Sequence, residues 1–445
     1  MKKQKKRNMK VFLMTILTIA TPTTITAQTA WTARQCMQYA VGHNTQVRRA
    51  ALELDNYETS RVAAAGQFLP WVDAGVGVQY NFGRAIDPET NGYTDVSTFY
   101  NGYSVQASLG LFDGFSRLHA LKAAKASALM GRSALRERQD QTALATLQAW
   151  VNVAYYEGTL QMAEERRQEA ELLLRQTKTM VDVGRKSEAD LAQMEAQQAE
   201  ADYELTRQQN LLSSAMLQLK QDMRYPLSDT LVLARETHGL DTLNGSFSEA
   251  KPCVYHPALM QSFHAMQSRL YEWRQARGSL FPSLSMSAGL STTYYHTLHL
   301  PSATSFSDQL KNNLGEYVAA TLSVPLFSRL QKSTSIRRAK NNYRMAQEAY
   351  EEKRTELEKL SREAWQDLTA YRKQTAQMEK KVEADSLAYQ LTRRQYEEGL
   401  STAIDLHTSS AQLLQSRATL LQCRLMTMLK HELVRYYKGE TIWTD

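Results

Sequence analysis

Cysteine is scarce. Cys36, Cys253 and Cys423 are the three in 445 residues, too few and too scattered for a disulfide framework or a zinc site. A single Cys36–Cys253 bridge fits an exported protein, but free thiols are the simpler expectation. Catalytic signatures are missing too: there is no G-x-x-x-x-G-K-[ST], no G-x-S-x-G and no H-E-x-x-H. The nine histidines are scattered, and His256, His296 and His299 have no cysteine or second acid at ligand spacing. No enzyme activity, catalytic residue, metal or cofactor is therefore expected. The 17 methionines raise the question of soft copper ligands. They are spread along helical stretches, where core packing is the commoner role.

The apolar run VFLMTILTIA, Val11–Ala20, is too short to span a bilayer as a helix. It follows the basic MKKQKKRNMK and precedes TITAQT, which together read as a secretory signal peptide over residues 1–27, cut after Ala27. An uncleaved anchor is the lesser reading. No cysteine directly follows the expected cut, so an N-terminal lipid anchor is not indicated. Six of the 53 lysines and arginines lie in that leader, and no acid does. The remainder carries 47 basic against 46 acidic residues. The basic balance comes from the leader, and a nucleic-acid partner loses its main support.

Proline is absent from Ser116–Met180 and from Gln331–Glu398. About 65 uninterrupted helical residues would span on the order of 100 Å. In the second stretch Leu357, Leu360, Ala364, Leu368, Tyr371, Thr375, Met378 and Val382 fall three or four apart, a coiled-coil seam. Shorter helices are expected over Thr32–Gly66, Ser187–Met223, Pro257–Gly278 and Thr402–Tyr437.

The two long stretches belong to an internal duplication. FLPWVDAGVGVQYNFG at Phe68–Gly83 matches LFPSLSMSAGLSTTYY at Leu280–Tyr295, and YSVQASLGLF at Tyr103–Phe112 matches VAATLSVPLF at Val318–Phe327. Residues 28–223 and 255–445 form the two repeats. The mixed stretch 224–254, with Pro226, Gly239, Gly245 and Pro252, breaks the pattern and reads as a small insertion. Strands are expected over 71–83, 102–112, 283–295 and 316–327. In each, apolar residues alternate with small or polar ones; Val72, Ala74, Val76, Val78 and Tyr80 alternate with Asp73, Gly75, Gly77 and Gln79. Ten to twelve residues with one apolar face is the pattern of a tilted transmembrane strand. Trp71, Tyr294 and Tyr295 stand where an interfacial aromatic belt would form. Four strands cannot close a barrel, and lipid does not tolerate an open edge, so further strands must come from other chains.

VDVGRKSEADLAQM at Val181–Met194 and YEEGLSTAIDLHTS at Tyr396–Ser409 write one turn twice. Gly184 and Gly399 suit a left-handed helix end. Ser187 and Thr402 then cap the next helix, with Asp190 and Asp405 three residues on, a capping box with Asp in place of Glu. Residues 181–190 and 396–405 are thus the reversals of two helical hairpins.

The duplication, the strand pairs flanked by LP/FP and LF, the long helices and the G-x5-D-L turns at Gly184–Leu191 and Gly399–Leu406 come in that order over nearly the whole chain. In this the sequence resembles the TolC family of outer-membrane exit ducts. The resemblance implies a mainly α fold with a β membrane part, a helical barrel of long coiled-coil helices. It also implies a homotrimer whose four strands per chain close a twelve-stranded barrel in outer-membrane lipid, continued by a periplasmic tunnel. The implied function is that of a passive duct in a tripartite efflux pump or type I secretion system. Its partners would be a periplasmic adaptor (a membrane fusion protein) and an inner-membrane RND- or ABC-type pump. Stretch 224–254 and the chain ends would form an equatorial girdle.

In the family a tyrosine, an arginine and two aspartates near the second turn hold the tip shut against an aspartate of the first. The tyrosine matches Tyr396, the first aspartate Asp405 and the partner aspartate Asp190. The arginine position is Ser401 and the second aspartate position is Thr408. Either the tip closes with other residues, Arg185 or Lys186 among them, or it is held less tightly. Asp405 has two readings, helix cap and gate. A soluble periplasmic coiled-coil scaffold or adaptor is the alternative; it explains the helices but not four matched strands.

Overall fold

The computed structural model describes residues 30–86, 91–95, 97–234, 255–298 and 304–444. The expected signal peptide, Cys253, His299 and residues 235–254 of the expected insertion lie outside them. In order, the elements are α1 (Ala33–His43), α2 (Thr45–Gly66), β1 (Trp71–Asn81), β2 (Arg84–Ile86), β3 (Tyr93–Asp95), β4 (Thr98–Phe112), α3 (Ser116–Asp182) and α4 (Glu188–Met223). There follow α5 (Pro257–Gly278), β5 (Ser283–Thr297), α6 (Phe306–Asn312), β6 (Gly315–Ser323), α7 (Gln331–Glu397) and α8 (Ala403–Tyr437).

The first expected helix is two. Asn44 closes α1 by donating its N–H to the Ala40 carbonyl, and its side chain caps α2 by accepting from the Gln46 N–H at 2.8 Å. Asn competes with the helix for its own backbone groups, so it is stable at a break. Its Nδ2 also donates to the Asp222 carbonyl at 3.1 Å, one of the unpaired carbonyls at the end of α4. Helices α3 and α7 have 67 residues each, about 100 Å of rise. On α7 the expected seam faces inward: Leu357, Ala364 and Leu368 are buried, and Leu360, Tyr371, Thr375, Met378 and Val382 are half-buried.

β1, β4, β5 and β6 form one antiparallel sheet in that order. Several strand limits differ from the expected ones. β1 stops at Asn81, where Phe82 and Gly83 lead into the small β2–β3 hairpin, which the alternation did not announce. β4 begins at Thr98 rather than 102, and β5 continues to Thr297. β6 ends at Ser323, short of the expected 327, because Pro325 has no N–H for a ladder and constrains Val324. The short α6 stands beside the upper part of β5. There the Gln309 amide accepts from the Tyr295 N–H at 2.9 Å and donates to its carbonyl at 3.0 Å, as a neighbouring strand would.

The main core lies part-way along the long helices. Cys36 and Ala40 of α1 meet Leu147 and Val153 of α3, Leu219 and Met223 of α4, Leu233, Leu429 of α8 and Ile442. The described part of the insertion joins this core: Trp31 donates its N–H to the Val232 carbonyl at 2.8 Å and pairs with Leu233 as an isolated bridge. A smaller core of Leu173, Met194, Tyr389, Tyr396, Ala403 and Leu406 sits at the far end.

Candidate functional site

Two regions carry the features that bear on function. The first is the sheet. Its register places Val72 opposite Ala107, Ala107 opposite Ala288 and Ala288 opposite Val318. With period two, this gathers the apolar positions of all four strands on one face. The other face carries Asp73, Gly75 and Gln79 of β1, Ser104, Gln106 and Ser108 of β4, Ser285, Ser287 and Gly289 of β5, and Tyr317 and Thr321 of β6. Val76 is 70% exposed and Val318 71% exposed. No described layer covers the apolar face, and neither β1 nor β6 has a described strand along its outer edge. Of the expected belt residues only Tyr294 is on the apolar face, packed against Phe99 and Phe306. Trp71 and Tyr295 have the opposite parity and belong to the polar face, a correction that follows from the register.

The second region is the tip, where the helical hairpins reverse. Gly184 has φ +75° and Gly399 φ +81°, and a Cβ there would meet open space. Glycine is needed for the left-handed backbone, not for room. Ser187 accepts from the Asp190 N–H at 3.2 Å, while Asp190 accepts from the Ser187 N–H at 3.1 Å and its hydroxyl at 2.7 Å. The second turn repeats this: Asp405 accepts from the Thr402 N–H at 3.0 Å and its hydroxyl at 2.7 Å. Ser401, at the family's arginine position, donates its hydroxyl to Asp405 at 3.2 Å. The Thr408 hydroxyl returns to the Ile404 carbonyl at 2.9 Å. These bonds, the Thr402 hydroxyl first, hold the Asp405 carboxyl below its ordinary value, and the Ser187 hydroxyl does the same for Asp190.

Tyr396 is buried at the base of α7. Its hydroxyl lies 2.9 Å from that of Thr177 on α3, and the Lys186 ammonium sits 4.0 Å from its ring centroid. Burial pushes its phenol up, and the Thr177 bond opposes that shift. Two turns higher, the Tyr389 hydroxyl donates to the Glu169 carboxylate of α3. Arg393 reaches the same carboxylate at 3.3 Å and holds Glu397 at 3.1 Å. The sequence had pointed to Tyr396 and Lys186. It did not point to Thr177, Glu169 or Tyr389, although Tyr389 stands one heptad before Tyr396 and shares its helix face.

Among the described residues no group of three or more His, Cys, Asp or Glu is placed to hold a metal ion. His256 is instead the N-cap of α5, its Nδ1 accepting from the Ala258 N–H at 3.3 Å. No described helix is long and apolar enough to cross a membrane.

A family model described as "Outer membrane efflux protein" matches residues 37–222 and 254–428, well over half of the chain. The chain belongs to the outer membrane efflux protein family. As a member of this family it is an outer-membrane exit duct for efflux, and the uncovered sheet is the part suited to lipid. It is 22% identical over 343 residues to the outer membrane efflux protein BepC of Brucella suis biovar 1 (strain 1330), which covers 77% of this chain and 72% of that protein. Its fold is similar to that of CusC, with a TM-score of 0.81 at 16% identity over 92% of each chain. It is similar also to that of the outer membrane protein VceC of Vibrio cholerae, with a TM-score of 0.77 at 12% identity over 92% of this chain and 96% of that one. The fold is thus that of the TolC-like channels, a helical barrel with a β part.

Proposed function

We propose that three copies of this efflux family member close one twelve-stranded barrel, β6 of each pairing with β1 of the next. The apolar faces of the strands then meet outer-membrane lipid, and the serine- and glycine-rich faces line a wet lumen. The observation that carries this reading is the sheet itself: among the described residues it has one mostly apolar face, covered only where Phe306 of α6 meets Tyr294, and two open outer edges. A four-stranded sheet left so in water would aggregate, and left so in lipid would strand its edge N–H and C=O groups. Residues 28–223 and 255–445 act as two structural repeats around the 224–254 insertion, so a trimer presents six helical hairpins toward the periplasm.

The hairpin tips are the gate. Asp405 and Asp190, with Tyr396 beside them, constrict the end of the tunnel, and three copies of Asp405 place a ring of carboxylates there. Ser401 and Thr408 do not supply the arginine and second aspartate of the family's lock; Lys186, on the Tyr396 ring, takes up part of that role. The duct is passive, with no catalytic step, and receives cargo from an inner-membrane RND- or ABC-type pump through a periplasmic adaptor, in efflux or in type I secretion. The decisive experiment is the mass of the protein extracted from outer membranes in mild detergent, corrected for bound detergent. A trimer found only in the detergent fraction is expected. A monomer or dimer released by salt alone would rule out the shared barrel and restore the soluble scaffold.

A further inference from the structure

The sheet gives way to the long helices at two elbows that the duplication writes alike. Phe115 and Leu330 stand 215 residues apart, just before α3 and α7. Both are left-handed, at φ 65° and 62°, a backbone that residues with a Cβ disfavour. Both side chains are exposed. Phe115 meets Phe112 edge-on, ring centroids 5.4 Å apart, and Phe112 stands opposite Leu284 on the apolar face. That face therefore continues past the end of the sheet. Below Phe115 the exposed Leu118, Lys122, Lys125 and Leu129 fall three or four apart, one stripe down α3. Other sides of α3 take its neighbours: the Ser127 hydroxyl lies 2.9 Å from that of Ser268 on α5, and Gly131 lies against Tyr57 of α2. On α7 the exposed Arg337, Lys340 and Arg344 repeat the positions of Lys122, Lys125 and Leu129 at the same offset of 215. Lys122 and Arg274 lie over the Tyr271 ring of α5, and Lys340 over the Trp273 ring. The basic surface thus runs from α3 across α5 to α7.

Charge here has one sign. α3 carries five basic residues, Arg117 to Arg136, before its first acid at Glu137, and α7 carries five, Lys332 to Arg344, before Glu348. Arg117 pairs with Asp113 and Arg132 with Glu58, whereas Lys122, Lys125, Arg337, Lys340 and Arg344 make no ion pair among the described residues. Neither helix has an acid in its first turn, where the dipole favours one. We propose that Lys122, Lys125, Arg337 and Lys340 form a basic collar that binds the anionic phospholipid headgroups of the leaflet on the helical side. The collar rests on the reading that the apolar sheet face meets lipid. Phe115 and Leu330 then sit at the acyl boundary, with the first basic pair about 10 Å and the second about 15 Å below them. The headgroup layer is about 5–7 Å deep. Long basic side chains reach back to it along apolar surface, and its charge is felt for about 8 Å beyond. The Arg337 fork adds paired donors for a phosphate. The collar fixes the level at which the protein sits, which apolar strands alone set loosely.

The test is electron spin resonance of the purified protein reconstituted in phosphatidylcholine vesicles, with spin-labelled phosphatidylglycerol or phosphatidylcholine as the probe. It reads the ratio of the two association constants. The wild type should favour phosphatidylglycerol by about threefold to tenfold, and about 0.5 M salt should remove most of that preference. Lys122→Gln, Lys125→Gln, Arg337→Gln and Lys340→Gln together should bring the ratio to about one. A control with the same change of charge lower on the helices, Lys178→Gln, Lys373→Gln, Lys380→Gln and Arg394→Gln, should keep it. A wild type without preference, or a collar variant that retains it, would overturn the collar. So would a collar variant that shifts the ion selectivity of the channel and leaves the lipid ratio alone, since its side chains would then face the lumen. A protein that stays in solution without detergent and immobilises neither lipid would instead overturn the reading of the sheet as lipid-facing.

Discussion

The hydroxyls of Thr177 and Tyr396 lie 2.9 Å apart, joining two helices across 219 residues of sequence. Thr177 is fully buried. Removing one partner leaves the other unsatisfied in a dry place, which costs about 1–3 kcal/mol, whereas removing both is nearer neutral. Tyr396→Phe should therefore loosen the tip, seen as faster amide exchange near residues 177 and 396 and as higher conductance. Adding Thr177→Val should recover much of the loss. A double variant worse than Tyr396→Phe alone would show that the bond is incidental.

Asp405 separates capping from gating. Asp405→Asn keeps a side-chain acceptor for the Thr402 backbone but removes the charge; Asp405→Ala removes both. If the carboxylate ring constricts the tunnel, both variants should raise conductance and weaken block by cations. If Asp405 only completes the capping box of α8, Asp405→Ala should lower the melting temperature with conductance unmoved, and Asp405→Asn should do little. The Thr402 hydroxyl holds this carboxyl below its ordinary 3.8, so in the single chain it stays charged through mildly acid conditions. Three copies brought close would push the other way. Cation block that fades well above pH 4 would mark such a ring.

Where the sheet joins the helices, Gly114 and Gly278 bring the two halves into backbone contact. A Cβ on Gly114 would lie 2.2 Å from the Gly278 carbonyl oxygen, and one on Gly278 would lie 2.7 Å from that of Gly114. Neither oxygen can move without shifting a helix end, and Gly114 also has φ +66°. Alanine at either site should cost roughly 1–3 kcal/mol, read as a lower melting temperature of the detergent-solubilised protein. Gly399→Ala, where nothing lies within 4 Å, should cost about 1 kcal/mol from backbone strain alone. Equal melting shifts for the two elbow variants and the tip variant would contradict the packing account.

Burial pushes the His256 imidazole down to about 4 from its ordinary value of 6.5. The neutral form is thus the folded form, and the unfolded chain binds more protons between these limits. Its contribution to stability is full above about pH 6.5 and falls as pH drops toward 4, by at most about 3 kcal/mol. Asp140, raised by burial, runs the opposite way, so the difference between two proteins is the clean measure. His256→Asn keeps an N-cap on α5 and removes the titration. It should flatten the acid side of the melting-temperature curve; a curve parallel to the wild type would show that His256 titrates normally.

Much of the architecture was legible because it is written locally. Gly184, Ser187 and Asp190 define a helix end and a helix start within seven residues, as do Gly399, Thr402 and Asp405. Alternation over Val72–Tyr80 and Leu284–Leu290 marks strands with one apolar face whatever they pair with. Exceptions came where a local signal was weak or overruled. Asn44 divides a helix that periodicity runs straight through, because a distant carbonyl at Asp222 rewards the break. Trp71 and Tyr295 look like belt residues by composition, and only the register assigns them to the polar face.

The sequence by itself determined the element types, the duplication and the two reversals, since periodicity and capping depend on residues within a turn or two of one another. Tertiary structure decided which residues meet. Whether the Tyr396 hydroxyl lands on Thr177 or on Asp190, and whether Tyr389 finds Glu169, depends on the axial shift of α7 against α3. That shift is set through α5 and α8, which pack against both 67-residue helices, and no short stretch of either one encodes it.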